Sequence, residues 1–457
     1  MHSYRKVTFA NSGLPFLVPL TKPHFMTKQL TISKTRSAQI CYIVISTADI
    51  VRDNMHDKNR EYSQTHPWLT FLLDLRTAGH RFWMLLGEAG SKCEHIAGVP
   101  LAPSVAEELE HVYLAKGAWA SSAIEGNTLT EEQALKQLQG KLKLPPSQEY
   151  LAQEVQNIMD ACNELLLEAL SADELVPISV ERIRRLNGLV LRKLHLDPEV
   201  VPGEFRQHSV IVGRYRGAPA ADCEYLLNRL CLWLNSTDFE NEQIPGVALG
   251  VLKAFIAHIY INWIHPFGDG NGRTARLVEY YLLLSAGVPK PAAHLLSNHY
   301  NQTRTEYYRQ LDLSFRPGVS LLPFLEYALL GFVDGLNTQL GTIRTYQWEV
   351  AWREYLQKLF EERTSKSDVR RYHLILDLSR MEEPVAVTKI AQVSSRMAAH
   401  FAGVSSRTLS RDLDELANLA LVQISNGQVR VKKETILAFL PERRRLPTEV
   451  MTCGAHE

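Results

Sequence analysis

The sequence predicts a mainly α-helical protein, with one short β-hairpin inside a helical core and a smaller winged helix-turn-helix domain after it. Apolar residues recur at three- and four-residue steps over most of residues 63–364, which is typical of amphipathic helices. The segment "HSVIVGRYRGAPA" alternates like paired strands, with Gly213 and Gly217 bounding the turn. In residues 368–440 three helical patterns precede "VQISNGQVRVKK", where Asn426-Gly427 predicts a hairpin.

Composition indicates an ordinary globular protein of about three folded units. Lys plus Arg equals Asp plus Glu at 50 each, so the bulk charge does not point to nucleic acid or an anionic membrane. The six cysteines form no CxxC pair and have no zinc-like spacing to histidine, which predicts reduced thiols and a cytoplasmic protein. The longest apolar stretch, from Gly246, is interrupted by Lys253, His258 and Asn262, so we expect a buried helix and no membrane segment.

The predicted domains follow these patterns along the chain. They are an extension (1–54), an N-terminal helical region (55–170), the core (171–335), a helical linker (336–367), the winged helix domain (368–440) and a tail (441–457). The extension carries seven Lys or Arg against two acids and is expected to be disordered or not part of the fold. A transit peptide, an unstructured arm and leader sequence before a start at Met55 remain alternatives.

Predicted helices occupy most of the rest of the chain. They cover 104–127 with a glycine stop, a segment opened by Pro145-Pro146-Ser147, 180–194, 221–235, 246–264, about 274–286, 301–315, 338–364, 368–380, 387–400 and 406–421.

The segment "IHPFGDGNGRTAR", residues 264–276, predicts an anion-binding loop before a helix. Glycines at 268, 270 and 272 let successive backbone N–H groups converge on an anion, and the helix from about Thr274 adds its N-terminal dipole. The plain alternative is a glycine-rich connector that contains a histidine by chance.

The polar residues of this loop have compatible chemical roles. Arg273 and Arg276 are spaced to clamp phosphate oxygens, and Asn271 can donate to the same oxygens. Asp269 offers the hard oxygen ligand that Mg²⁺ takes when it bridges phosphates. His265 has an ordinary pKa suited to removing a proton from a hydroxyl.

The loop resembles the Fic family signature HxFx(D/E)GNGRxxR, which it matches from His265 to Arg276 without a departure. It is neither a Walker A loop, since GK[ST] is absent, nor a Rossmann turn, since a helix precedes it. The resemblance extends over roughly residues 60–335 and implies the Fic helical fold with the hairpin as its flap.

The resemblance also implies an activity, namely transfer of AMP from ATP to a Ser, Thr or Tyr hydroxyl of a target protein. His265 would be the catalytic base, and Asp269 would hold Mg²⁺. The implied ATP-binding residues are Gly270, Asn271, Gly272, Arg273, Thr274, Ala275 and Arg276, with Arg276 on the γ-phosphate.

Two further pairs of residues follow from the resemblance. Tyr307 or Tyr308 in "EYYRQL" would stack near the adenine, although adjacent tyrosines on a helix are commonly one buried and one exposed. Val210 and Ile211 of the flap would clamp the target side chain, and their alternative is simple hairpin core.

"SSAIEGN" at 121–127 resembles the Fic inhibitory motif (S/T)xxxE(G/N) through Ser121, Glu125 and Gly126. Ser121 and Glu125 are four residues apart and share a helix face. Glu125 would pair with Arg276 in place of the γ-phosphate and slow the transfer. An ordinary surface glutamate near a helix end is the alternative.

The C-terminal domain leaves its partner open between DNA and protein. Arg407 and Arg411 could reach DNA from the second helix of the pair, and wing residues Arg430, Lys432 and Lys433 could follow the backbone. Three acidic residues of the same helix oppose this, namely Asp412, Asp414 and Glu415. The alternative is that this acidic end faces its own domain.

The sequence thus favours an autoinhibited protein adenylyltransferase, with self-modification included. The alternatives are removal of AMP by the same site and a nucleotide-sensing DNA-binding regulator. A homodimer is left open.

Overall fold

The computed structural model describes residues 44–45, 60–171, 177–213, 215–239, 244–315 and 320–437, and helices dominate them. Up to residue 264 the helices are α1 (Tyr62–Thr65), α2 (His80–Ala97), α3 (Pro103–Ile124), α4 (Glu131–Leu138), α5 (Glu149–Ser171), α6 (Val180–Val190), α7 (Cys223–Leu234) and α8 (Gly246–Ile264). From residue 271 they are α9 (Asn271–Ser285), α10 (Leu295–Gln302), α11 (Arg304–Ser314), α12 (Leu322–Phe360), α13 (Lys366–Leu378), α14 (Ser395–Phe401) and α15 (Ser406–Asn418).

The strands form three small antiparallel sheets. They are β1 (Val44–Ile45) with β2 (Leu73–Asp74), β3 (Ile211–Val212) with β4 (Tyr215–Arg216), and β5 (Val385–Ala386), β7 (Gln428–Val431) and β6 (Val422–Ser425) in that order across the sheet. Residues 44–45 belong to the predicted extension, so the expectation that residues 1–54 lie outside the fold is wrong for this pair. The remainder of the extension and the tail at 441–457 lie outside the described residues.

Helix α8 is the centre of the core, because its sequence is apolar on every face. It packs against α2, α7 and α9. Among the described residues it is the one helix long and apolar enough to cross a membrane, but 83% of its most apolar window is buried inside the protein. The predicted bounds, 246–264, are confirmed, and so is the expectation of a buried helix.

Helix α3 runs across the core and ends beside the start of α9. Pro103 opens it, where a missing N–H costs nothing. It packs on α5 and α10, and Gly117 allows the close approach of the buried His294 ring. The helix ends at Ile124, and Gly126 follows with a φ of 105°, which a glycine adopts without strain. The predicted glycine stop is confirmed.

Helix α12 joins the core to the C-terminal domain, which comprises α13, α14, α15 and the sheet β5–β7–β6. It is a single helix of 39 residues, so the predicted boundary at residue 335 falls inside it. Its last turns are not a linker, because Trp352, Leu356 and Phe360 are buried in the apolar core of the C-terminal domain.

Several predicted helices have different bounds; the segment predicted as one helix at 301–315, for example, contains the end of α10 and the whole of α11. Helix α9 begins at Asn271 rather than near Thr274. The segment predicted as one helix at 387–400 is a 3-10 turn (Val387–Gln392) followed by α14, because the Ser394 side chain accepts the Met397 N–H at 3.0 Å and caps a new helix. The hairpin at Asn426-Gly427 is confirmed, with φ angles of 51° and 70° at its two turn residues.

A buried carboxylate joins two helices of the C-terminal domain. Asp412 on α15 is 1% exposed, and its two oxygens accept hydrogen bonds at 2.6–3.1 Å from Arg370 and Arg371 on α13. We expect Asp412→Ala to lower the free energy of unfolding by about 3 kcal/mol, because it leaves two largely buried guanidinium groups without this partner. Urea unfolding followed by tryptophan fluorescence measures the loss.

The matched control is Asp414→Ala, which removes an exposed carboxylate from the same helix. Its expected effect is within about 0.5 kcal/mol. Equal effects of the two substitutions would contradict a stabilising role for the buried cluster.

Candidate active site

The turn between α8 and α9 holds His265 by its backbone. His265 ends α8 in the left-handed conformation, with φ 51° and ψ 58°, and its N–H donates to the Ile261 carbonyl at 2.8 Å. The His265 carbonyl accepts a hydrogen bond from Nε of Arg206 at 2.7 Å. The residue is therefore fixed in a strained conformation by contacts on both sides.

Arg206, which the sequence analysis did not single out, ties this turn to the hairpin. It is 2% exposed, and its other nitrogens donate to the carbonyls of His208, at 2.6 Å, and Ala218. Gly217 lies so close that a Cβ there would be 2.9 Å from Cβ of His265. No local pattern indicates Arg206, because its contact to His265 spans 59 residues of sequence.

The geometry of the His265 side chain suits a base. Nδ1 lies 3.4 Å from the Asn262 carbonyl, which can only accept, so we place the imidazole proton on Nδ1 and leave Nε2 as the basic nitrogen. Burial lowers the pKa of His265 to about 4. At neutral pH the imidazole is therefore uncharged and able to accept a proton.

Two asparagines shape the glycine turn. Gly270 takes a φ of 76° before α9. The Asn271 side chain both accepts from the Phe267 N–H at 2.9 Å and donates to the Phe267 carbonyl at 2.8 Å. Asn187 on α6 donates to the Asp269 carbonyl at 2.9 Å. The Asn271 amide thus helps to hold the loop, and its donation to phosphate through the second N–H stays a prediction.

The role of Asn187 was not predicted either, although its position in the helical pattern of residues 180–190 indicates a buried polar side chain. It lies four residues after Ile183 and three before Val190, on the buried face of an amphipathic helix. An amide at such a position must find partners, and a search for polar residues on apolar faces would have found it.

Arg273, in the first turn of α9, interacts with Asp269 just before the helix. Nη2 of Arg273 lies 3.3 Å from Oδ1 of Asp269, and Nη1 lies 3.7 Å from a Glu154 oxygen on α5. The Asp269 side chain is half exposed. No group of three or more His, Cys, Asp or Glu that could hold a metal occurs in the part of the chain the structure describes. A lone carboxylate fits an ion held mainly by phosphates and water, such as Mg²⁺.

Arg276 connects α9 to the end of α3. Its Nε donates to Oγ of Ser121 at 2.9 Å, and its Nη2 donates to the Ser121 carbonyl at 2.8 Å and to Oε1 of Glu125 at 2.7 Å. The structure thus brings the three residues together, although Arg276 is 155 residues from Ser121 and 151 residues from Glu125 in the sequence.

The Glu125 carboxylate lies over Gly272. A Cβ at residue 272 would overlap Oε1 of Glu125, so only a glycine allows this approach. Burial alone would raise the pKa of Glu125, but the Arg276 guanidinium, with help from Arg273, outweighs it and holds that pKa below its ordinary value. An ionised carboxylate therefore occupies the N-terminal end of α9, where the helix dipole favours an anion.

The first turn of α9 retains further capacity to donate. Its first backbone N–H groups have no partner within the helix. Among the described residues, Nε of Arg273 and Nη1 of Arg276 are buried without a hydrogen-bond partner. Such donors fit a polyanion better than they fit Glu125 alone.

A cavity of about 610 Å³ opens from this point, within the range of small-molecule sites. It is lined by side chains of α3, α8, α11 and the hairpin, including Glu125, Val212, His265, Tyr307, Tyr308 and Phe315.

The two predicted tyrosines differ in their surroundings. Tyr307 is 1% exposed, bonds to Nε2 of His258 at 3.0 Å and stacks on Tyr300 with ring centroids 4.6 Å apart. Tyr308 is 41% exposed and donates to the Ile124 carbonyl at 3.0 Å. Tyr308 is therefore the ring with a face open for stacking.

The other predicted site residues also differ in their exposure to solvent. Thr274 and Ala275 are completely buried, and the Thr274 N–H donates to the Gly270 carbonyl at 2.9 Å, whereas their assignment as ATP contacts stays a prediction. Ile211 is exposed and Val210 half-buried, which does not fit the alternative of simple hairpin core for Ile211.

Part of the chain is similar to a known protein family. Residues 177–283 match the model of the Fic/DOC family. The chain is similar to the protein adenylyltransferase fic-1 of Caenorhabditis briggsae, 31% identical over 223 residues, which are 49% of this chain and 40% of that protein. It is also similar to the protein adenylyltransferase Fic of Drosophila melanogaster, 31% identical over 212 residues, 45% of this chain and 37% of that protein.

A solved structure of Fic-1 from C. elegans is 23% identical to the chain, covers 65% of this chain and 87% of that one, and has a TM-score of 0.47. The chain spans less than half the length of the two curated relatives.

The protonation of His265 can be measured directly. Because burial lowers its pKa to about 4, the unfolded chain takes up this proton near pH 6.5 and the folded chain only near pH 4. We therefore expect this group to lower the free energy of unfolding progressively as the pH falls from about 6.5 to about 4. An NMR titration of the imidazole, assigned by loss of its signal in His265→Ala, gives the midpoint, and a value near 6.5 would contradict the buried neutral base.

Proposed function

We propose that this protein transfers AMP from ATP to a hydroxyl side chain of a protein, its own chain included, and that Glu125 holds the reaction back. The observation that carries the proposal is the Glu125 carboxylate bound to Arg276 over Gly272, beside the neutral His265. A carboxylate at this position supports an anion-binding cradle. The relatives named protein adenylyltransferase support the reaction.

ATP fits the site by charge and size. The phosphates would meet the N–H groups of Gly270, Asn271 and Gly272 with the free donors of Arg273 and Arg276, the latter on the γ-phosphate. The cavity beyond His265 would hold the nucleoside, with Tyr308 as the stacking face and Tyr307 as its rigid support.

His265 would carry the proton transfer. Its Nε2 accepts the proton of the target hydroxyl while the hydroxyl oxygen attacks the α-phosphorus and pyrophosphate leaves. Asp269 would hold Mg²⁺, which supplies charge neutralisation of the phosphates when bound. Arg273 would release the Asp269 carboxylate for the metal when a phosphate becomes the new partner of its guanidinium.

The hairpin β3–β4 would present the target. Ile211 and Val212 are 58% and 45% exposed beside the cavity, so an extended segment can pair with strand β3 while Val210 and Ile211 clamp its side chain. We propose that the protein acts in the cytoplasm, since the four described cysteines are free. Self-association as a homodimer remains part of this proposal, and sedimentation tests it.

Removal of AMP is the alternative reaction of the same site. Glu125 faces the cavity that holds His265, where a water molecule could take the place of the hydroxyl. A loss of mass from an AMP-labelled protein, dependent on Glu125, would favour this reaction.

The brake can be tested by substitution. We expect Glu125→Gly to raise the initial rate of ATP-dependent labelling by about tenfold or more, because Arg276 becomes free for the γ-phosphate. His265→Ala in the same background should lower it by about a hundredfold or more. Intact-mass spectrometry with ATP and Mg²⁺ measures both, and the product gains one adenylate.

The control is Glu382→Gly, the same change in an exposed bend outside the cavity, which should leave labelling unchanged. No labelling in the Glu125→Gly protein with any hydroxyl-bearing target would contradict the transferase. Labelling that persists without His265 would contradict its role as the base.

A second candidate function, DNA binding by the C-terminal domain as a winged helix, is favoured by one observation. Asp412 is buried against Arg370 and Arg371, whereas Arg407 and Arg411 are exposed and four apart on one face of α15. One of the three acids of α15 thus faces its own domain, while Asp414 stays exposed, and the protein could act as a nucleotide-sensing regulator.

We expect the double substitution Arg407→Ala/Arg411→Ala to weaken binding to duplex DNA by about tenfold or more, because it removes two phosphate or base contacts. Fluorescence anisotropy with a mixed duplex pool at fixed salt measures this. The double substitution Arg344→Ala/Arg353→Ala on α12 removes the same charge from exposed positions and serves as the control. Equal affinity of both variants would exclude α15 as the DNA-reading helix.

A further inference from the structure

The last carbonyl groups of α3, the helix that carries Ser121 and leads into Glu125, all have partners. Four carbonyls at a helix end lack a partner within the helix. Those of Ser122 and Ala123 accept N–H groups of the following turn at 3.0–3.2 Å. Those of Ser121 and Ile124 accept from the core instead, the first from Arg276 at 2.8 Å and the second from the Tyr308 hydroxyl at 3.0 Å.

Both core donors belong to the proposed nucleotide site. Tyr308 lies on α11 and lines the cavity together with Glu125 and His265. Its hydroxyl reaches Ile124 across 184 residues of sequence, while 41% of the residue stays exposed. The same side chain therefore contacts the end of α3 through its hydroxyl and faces the cavity through its ring.

The Tyr308 hydroxyl also suits its position electrostatically. The C-terminus of a helix carries a partial negative charge, which an O–H donor stabilises. The bond is made to the residue directly before Glu125, so it restricts where the glutamate can go. A triphosphate that takes the donors of Arg276 removes the other core contact and leaves Tyr308 to hold the helix end.

We infer that Tyr308 is a positioning residue that holds the end of α3 so that Glu125 stays over Gly272. The inference rests on the proposed function, because it assigns to Tyr308 a part in the brake in addition to stacking. It follows that loss of the hydroxyl alone, with the ring retained, should release Glu125 in part.

Tyr308→Phe tests this with the smallest possible change. We expect the initial rate of ATP-dependent labelling to rise about three- to fivefold, the effect of one hydrogen bond, with the KM for ATP unchanged within about twofold because the ring remains. In the Glu125→Gly background the same substitution should have no effect, since no carboxylate remains to be positioned.

Tyr150→Phe, the same change at an exposed tyrosine of α5 outside the cavity lining, is the matched control and should leave the rate unchanged. Hydrogen exchange gives a readout that does not depend on activity. The amides of Glu125, Gly126 and Asn127, which bond to the last carbonyls of α3, should exchange faster in Tyr308→Phe than in the parent.

The outcomes separate the inference from the proposed function. Unchanged exchange at residues 125–127 in Tyr308→Phe, or an equal rate increase in both backgrounds, overturns the positioning role. Faster exchange with labelling raised only when Glu125 is present supports it. If Glu125→Gly is not labelled at all, the proposed function fails, and the exchange experiment still decides whether Tyr308 holds the helix end.

Discussion

The ion pair of Glu125 with Arg276 is the interaction around which the site is organised. It joins the end of α3 to the first turn of α9, and Gly272 provides the space for the carboxylate. The burial of Arg276 makes the pair strong, because a guanidinium that is only 1% exposed needs an anion beside it. Whatever replaces Glu125 there must carry negative charge, and a triphosphate does.

A second constraint acts on the backbone of the turn between α8 and α9. His265 and Gly270 both have positive φ, which costs little at the glycine but is strained at His265 and needs surrounding contacts to persist. Arg206 and Asn187 supply these contacts from the segments before the loop. The base and the cradle are thereby held ready, so that little reorganisation accompanies binding.

The end of α3 shares donors with the proposed nucleotide site, so the proposed regulation would be linked to substrate binding. Arg276 and Tyr308 each contact a carbonyl of α3; Tyr308 lines the cavity, and Arg276 binds Glu125, which also lines it. A nucleotide and the helix end would therefore compete for the same groups. Such competition would need no separate regulatory domain, since the proposed brake and the substrate would bind the same side chains.

Much of the helical fold could be predicted because its signals are local. The bounds of α8 follow from an apolar run that ends in His265-Pro266, and the C-terminal hairpin follows from Asn426-Gly427. Predicted helix bounds were wrong where a single capping residue, such as Ser394, starts a new helix. They were also wrong for α12, which continues without a break from the first core into the core of the C-terminal domain.

The sequence by itself determined which chemical groups meet in the loop from His265 to Arg276, since neighbours along the chain are also neighbours in a tight turn. It did not determine that the Asn271 amide is used internally, that Thr274 and Ala275 are buried, or that Arg206 and Asn187 hold the loop. The Asn271 contact was decided by the fold of the turn itself, since Phe267 is only four residues away. The others were decided by the packing of α3, α6 and the hairpin around the turn, because the sequence pattern does not say which distant segments meet.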